Sequence, residues 1–224
     1  MPLTEAQSID LQRLLELDAY PRTVWEWLQT CVITKNEATG KMEPFPTGPR
    51  WDYLQYLTSI RRNYRIFAVE KSRRMLVTWW LCSVYLYDTL TQANHANFIV
   101  SKKLTDSAYL LGEERILGVY QRIPAEVWPH KPRLEETGKE GRGFTLLTCP
   151  DTGSYIQAVA SGADQLRQYT ATNVLLDEYA FQEKQEECWA AVTPTILGGG
   201  HVDMVSTPEL GAYMHDLLYD LGRA

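Results

Sequence analysis

The 224-residue sequence predicts an α/β fold: a mostly parallel central sheet with flanking helices and a small N-terminal helical and hairpin appendage. Three observations predict it. Short apolar runs at 66–69 (IFAV), 97–101 (NFIVS), 173–176 (NVLL) and 201–205 (HVDMV) read as strands. Longer stretches of helical period alternate with them. Three of the strands end in polar groups: Val69 runs into a basic turn, Leu176 into Asp177–Glu178, and Val205 into Ser206, Thr207 and Pro208. In such sheets ligands lie beyond the carboxyl ends of strands.

In chain order, residues 3–18 carry Leu3, Ile9, Leu11, Leu14, Leu15 and Leu17 at helical spacing, and Pro21 ends that helix. A second short helix is predicted over 22–30. Runs at 31–34 and 41–45 flank 36–40, which reads as a hairpin with a glycine turn. Pro44, Pro46 and Pro49 make an extended connector. Residues 51–63 form an amphipathic helix with Trp51, Leu54, Leu57 and Ile60 on one side. This divides the chain into an appendage, 1–50, and a core, 51–224. Residues 102–121 read as one helix, and 124–143, with three prolines and mixed charge, as an irregular exposed excursion. A second hairpin joins 144–149 to 154–160 around 151–153. A helix over 182–197, bent at Pro194, stops at Gly198–Gly199–Gly200, and 213–221 is the last helix.

The net charge of −6 argues against a protein basic all over, while a local basic stripe suffices for nucleic acid. Apolar content of 45% with seven Trp supports a sizeable core. Cys31, Cys82, Cys149 and Cys188 are scattered without metal-ligand spacing and read as reduced core thiols of a cytosolic protein. His95, His130, His201 and His215 likewise lack ligand spacing and read as structural or surface residues. No apolar run reaches about 18 uncharged residues, so no membrane span is expected.

The stretch with most chemistry is 67–78, FAVEKSRRMLVT. A strand that ends in a basic turn and feeds a helix can hold phosphate, because the helix N–H groups and dipole attract an anion. Lys71 adds a point charge, Arg73 and Arg74 add two more, and the Thr78 hydroxyl can ligate Mg²⁺. The usual Gly-Lys places are filled by Leu76 and Val77, and the turn has no glycine. A buried strand–helix unit with a basic surface turn therefore stays open as a second reading. VLLDE at 174–178 delivers two adjacent carboxylates; in nucleotide hydrolases the first orients Mg²⁺ and the second polarises the attacking water. Arg61, Arg62 and Arg65 read either as a nucleic-acid patch or as a solvated helix end.

Taken in order, these stations resemble the ATPase domain of the large terminase subunit of tailed phages, from about Trp51 to the end. The resemblance implies an ASCE-type P-loop NTPase that hydrolyses ATP with Mg²⁺ to move double-stranded DNA into the procapsid. It also implies a homo-oligomeric ring acting with a portal protein and a small terminase subunit in the host bacterial cytoplasm. Lys71, Ser72, Arg73, Arg74, Met75, Leu76, Val77 and Thr78 match a displaced Walker A turn at Lys71, Arg74 and Thr78, and depart from it at Leu76, where the family has Gly. Asp177 matches the Mg²⁺-side acid of Walker B and Glu178 the catalytic acid. Ser206, Thr207 and Pro208 match the coupling motif. The resemblance further implies an arginine finger at Arg167 from a neighbouring subunit, or Arg74 in cis, and adenine contacts among Arg50, Trp51 and Gln55. A large terminase also carries a nuclease domain. This chain stops at Ala224, so the expectation is ATP hydrolysis without DNA cleavage, the nuclease being either excised or encoded elsewhere.

Two rivals carry different expectations. A helicase-like nucleic-acid-dependent ATPase would need further arginine motifs on a second motor lobe. A non-catalytic nucleotide- or DNA-binding domain is the reading that Leu76 and Val77 favour.

Overall fold

The computed structural model describes residues 20–36, 39–162 and 170–219. The helix expected over 3–18 lies outside the described residues. Helix α1 (Val24–Cys31) begins at Thr23, whose hydroxyl accepts from the Glu26 N–H at 3.1 Å. Strands β1 (Ile33–Lys35) and β2 (Met42–Pro44) form the antiparallel hairpin expected there. Helix α2 (Asp52–Arg61) leads to strand β3 (Ile66–Glu70), and the basic turn then enters helix α3 (Val77–Thr91).

Twelve of the fifteen residues of α3 are buried. A helix apolar on every side belongs in the interior, and α3 fills the space between the sheet and α1. The Trp27 indole donates to the Ser83 carbonyl at 3.0 Å, fastening α1 to α3. Strand β4 (Ala96–Ser101) is wholly buried. The single helix expected over 102–121 is instead two, α4 (Leu104–Leu111) and α5 (Ile116–Gln121). The cause lies in packing. At Gly143 the backbone passes so close to α4 that an added Cβ would sit 1.7 Å from the Ala108 carbonyl oxygen. At Gly112 it would sit 2.7 Å from that of Arg142. The chain turns there, and Glu113 and Glu114 stay towards solvent.

Strand β5 (Glu135–Glu140) lies inside the segment expected to be irregular. It pairs antiparallel with β6 (Gly143–Cys149), and β6 with β7 (Ser154–Ala160). Sequence EETGKE has no apolar alternation, so the backbone ladder to β6 alone makes it a strand. After β8 (Asn173–Asp177) a short 3₁₀ turn, Tyr179–Phe181, leads to α6 (Gln185–Leu197), β9 (His201–Ser206) and α7 (Tyr213–Tyr219).

The seven-stranded sheet runs β3-β9-β8-β4-β7-β6-β5. Its first five strands are parallel, and β6 and β5 extend it antiparallel. Alternate residues face opposite sides, as the strand pleat requires. Phe98, Val100, Val174, Leu176, Val202 and Met204 pack under α6 and α7, while Ile99, Leu175 and Val205 join α1 to α5. Register sets the site: Val69 pairs with Val205, and Val205 with Asp177. The residues after these three leave one edge of the sheet together. All four cysteines are buried and free. Among the described residues, no helix is long and apolar enough to cross a membrane.

Candidate active site

The turn between β3 and α3 starts as an extension of the sheet, the Lys71 N–H donating to the Ser206 carbonyl at 3.0 Å. It then takes two left-handed residues, Arg74 (φ 64°) and Leu76 (φ 53°, ψ 9°). A left-handed residue costs a side-chain-bearing amino acid about 1–2 kcal/mol. Leu76 stands where the glycine of a phosphate-binding turn is expected, and it adopts the backbone a glycine would supply. Packing compensates: Val77 is 1% exposed, Met75 and Leu76 pack against the core, and the Tyr53 hydroxyl donates to the Met75 carbonyl at 2.7 Å. The helix then begins with Trp80 N–H bonding the Leu76 carbonyl at 2.8 Å, so the preceding first-turn N–H groups have no acceptor within the helix.

Three strand tips meet at this turn. From β8, Asp177 accepts a hydrogen bond from the Thr78 hydroxyl at 3.0 Å. Glu178 follows in a left-handed conformation (φ 45°, ψ 46°). Its Oε1 pairs with Lys71 Nζ at 2.9 Å, and its Oε2 accepts from the Thr207 N–H at 3.3 Å and the Thr207 hydroxyl at 3.4 Å. The Ser206 hydroxyl lies 3.5 Å from the same oxygen and accepts from the Ala180 N–H at 3.2 Å. Pro208 is exposed beyond them. Ser72 and Arg73 are exposed on the turn, the Ser72 hydroxyl 3.3 Å from the Met75 sulfur.

The two carboxylates are held differently. Burial raises Asp177 to about 6, and the neighbouring Glu178 charge adds to the rise. Burial acts on Glu178 in the same sense, but the Lys71 hydrogen bond and charge and the Thr207 donors outweigh it and hold that carboxyl below its usual range. One acid is thus easily protonated and the other firmly ionised. The Thr78 hydroxyl and Asp177 carboxylate together offer hard oxygen ligands of the kind Mg²⁺ takes alongside phosphates.

Lys71, Arg73, Thr78, Asp177, Glu178 and Thr207 line a cleft of about 740 Å³, whose walls also include Trp79, Lys102, Arg115 and Phe181. A second hollow of about 430 Å³ adjoins it through Arg74 and Leu76, and is walled by Arg50, Trp51 and the β1–β2 hairpin. Gln55 lines a separate hollow with Arg62 and Trp80. Arg167 lies outside the described residues. Arg61 leaves the basic cluster read with Arg62 and Arg65. It forms a two-pronged ion pair with Asp203, at 2.9 and 2.6 Å, beneath the sheet. Tyr85 and His201 complete the shell of Asp203 at 3.0 and 2.9 Å. Burial would raise Asp203, but Arg61 and His201 bring it down to about 2. An Asp inside an apolar strand, HVDMVS, is the signal for this buried pair. Nothing in the sequence signals that Arg115 shares the cleft, since it follows a charged surface stretch.

Fold and cleft place the chain in the α/β class, a mostly parallel sheet with a cleft at the carboxyl ends of its strands. More particularly, the fold is that of phage large-terminase ATPase domains. The ATPase domain of the Thermus phage P74-26 large terminase matches with TM-score 0.50 and 19% identity over 68% of this chain and 62% of that one. The HK97 bacteriophage large terminase matches with TM-score 0.59 and 12% identity over 84% of this chain and 37% of that one. The large terminase of a further, thermophilic bacteriophage matches with TM-score 0.55 and 13% identity, over 78% and 42%. Another structure of that thermophilic-phage terminase contains ADP. This chain spans 62% of the P74-26 domain and about two fifths of the two longer proteins. No family model and no curated protein matches the sequence.

Proposed function

We propose that this chain binds and hydrolyses Mg²⁺·ATP in the 740 Å³ cleft and serves as the motor domain of a phage large terminase. The observation that carries the reading is the convergence of Lys71, the Thr78–Asp177 pair and the Glu178–Thr207 pair at the ends of three neighbouring parallel strands. The left-handed backbone at Leu76 supports it, because the turn keeps a phosphate-cradling shape without glycine. On this reading residues 51–224 are the ATPase core and 1–50 the appendage.

Lys71 and the N–H groups of the turn hold the β- and γ-phosphates. Thr78 and Asp177 hold Mg²⁺, directly or through water; the ion, when bound, offsets charge on the phosphates. Glu178 orients a water for in-line attack and accepts its proton. Arg167 from a neighbouring copy, or Arg74 in cis, offsets charge in the transition state. Trp51 and Arg50 are the proposed base-side contacts, since they line the hollow beside Leu76, whereas Gln55 faces a separate hollow and drops out of that set. Ser206, Thr207 and Pro208 transmit the state of Glu178 to the segment before α7. In the assembled motor the work is translocation of double-stranded DNA by a ring of copies at the portal protein, with a small terminase subunit, in the host bacterial cytoplasm.

Titration of the chain with ATP, with and without Mg²⁺, tests the reading, with micromolar to millimolar binding expected only when Mg²⁺ is present. Glu178→Gln should bind ATP as the wild type does and lose turnover. Absent binding by the wild type refutes the nucleotide site; normal turnover by the variant removes Glu178 from its role.

A further inference from the structure

We propose that Arg115 is a phosphate-binding residue of the same cleft, contacting the terminal phosphate of the bound nucleotide from within the subunit. The inference rests on the ATP reading above and assigns a cation that neither the basic turn nor the finger position supplies.

Arg115 stands just before α5, on a different wall of the cleft from β3. Its guanidinium lies 4.3 Å from the Trp79 ring centroid and 5.5 Å from that of Tyr109. Such stacking holds a planar cation in one orientation. Trp79 follows Thr78 directly, so the stack ties Arg115 to the first turn of α3. Nη1 donates to the Glu114 carbonyl at 3.0 Å, whereas Nε is buried with no protein acceptor. Among the described residues, no carboxylate lies within ion-pair distance of Arg115. Nε is closed off from the cleft, but among the described residues no hydrogen bond engages Nη2, and a charged donor at the cleft wall without a protein acceptor can take a ligand oxygen. The charge does act within the site, since it is one of the influences on the Asp177 carboxyl.

Position selects the ligand atom. The cleft joins the base-side hollow at Arg74 and Leu76, while Arg115 shares its lining with Asp177 and Glu178. That is the end where the acids stand and the terminal phosphate is processed. A forked guanidinium suits phosphate oxygens there better than an ammonium.

The test compares affinities for ATPγS and ADP, each with Mg²⁺, by calorimetry on wild type and Arg115→Met. Methionine keeps much of the packing on Trp79 and removes the charge. The variant should lose about 10- to 100-fold in ATPγS affinity, as for one lost hydrogen bond to a charged group, and change little toward ADP. Equal losses for the two nucleotides, or none, overturn the assignment. If Arg115→Met does not fold, the same ratio is read on Arg115→Lys, where a severalfold fall in ATPγS preference is expected and an unchanged preference overturns the proposal. Wild type that binds neither nucleotide refutes the ATP site itself and the assignment with it. Wild type that binds both, beside a variant with an unaltered ratio, refutes Arg115 alone.

Discussion

Replacing Asp177 with Asn should make the protein more stable while disabling the proposed metal site. Asp177 is 8% exposed, and burial together with the Glu178 charge lifts its carboxyl from 3.8 to about 6. A raised folded-state value means that folding favours the protonated acid. Stability from this group is full below pH 3.8, declines as pH rises through about 6, and is gone above it. A shift of roughly two units corresponds to about 3 kcal/mol of penalty at pH 8. Asparagine fills the same space, accepts the Thr78 hydroxyl and carries no charge. Asp177→Asn should therefore melt higher at pH 8, without nucleotide or Mg²⁺, by roughly 6–12 °C, taking about 2–4 °C per kcal/mol for a chain of this size. The advantage should shrink as pH falls through 6 toward 4. Thermal melts of both proteins across pH 4–8 measure it, and Mg²⁺-dependent ATP titration of the variant should show the Mg²⁺ effect lost. Equal or lower melting at pH 8, or a gain that does not vary with pH, would refute the argument.

Four further outcomes can be measured. Arg61→Ala should cost about 3–5 kcal/mol in denaturant melts by leaving Asp203 charged and buried, while Arg61→Met with Asp203→Leu should recover most of it. The depressed Asp203 carboxyl contributes stability above pH 3.8 that is lost as pH falls toward 2, so acid unfolding of the wild type should steepen there and that of Asp203→Asn should not. Leu76→Val puts a β-branched residue at φ 53° and should lower the melting temperature by several degrees, whereas Leu76→Gly should come within about 1 kcal/mol of wild type, relief of strain offsetting lost packing. Lys71→Ala should weaken ATP binding at least tenfold by titration, and unchanged affinity would take Lys71 out of the site.

Much of the sheet was legible because its strands are buried on both faces and therefore read as short apolar runs. Val174, Leu175 and Leu176 leave little alternative. The same logic hid β5, whose residues gain no burial and are strands only because β6 is beside them. The break after Leu111 was hidden for a related reason: it depends on Gly143, far along the sequence, lying against Ala108. In the cleft, adjacency to strand ends marked Lys71, Asp177, Glu178 and Thr207. The backbone at Leu76 could not be read, since leucine gives no sign of a left-handed conformation. Nor could the roles of Arg61 and Arg115, both in charged stretches, because only the fold decides which cations turn inward.

The placement of β9 between β3 and β8 gives the cleft a physical logic. Glu178 is gripped from two sides, by Lys71 on the β3 side and by Thr207 at the end of β9. On the proposed reading Lys71 is also the cation that phosphates recruit, and one ammonium serves two anions less well than one. Nucleotide binding then draws Lys71 off Glu178. It removes the strongest influence holding that carboxyl down and leaves burial and Thr207 to set its behaviour. A carboxylate freed in this way becomes a better proton acceptor, so the act of binding prepares the base. The Thr207 contacts to Oε2 do not pass through Lys71. Any movement of Glu178 toward its water therefore pulls on the end of β9, the one strand that touches both of the others at the site.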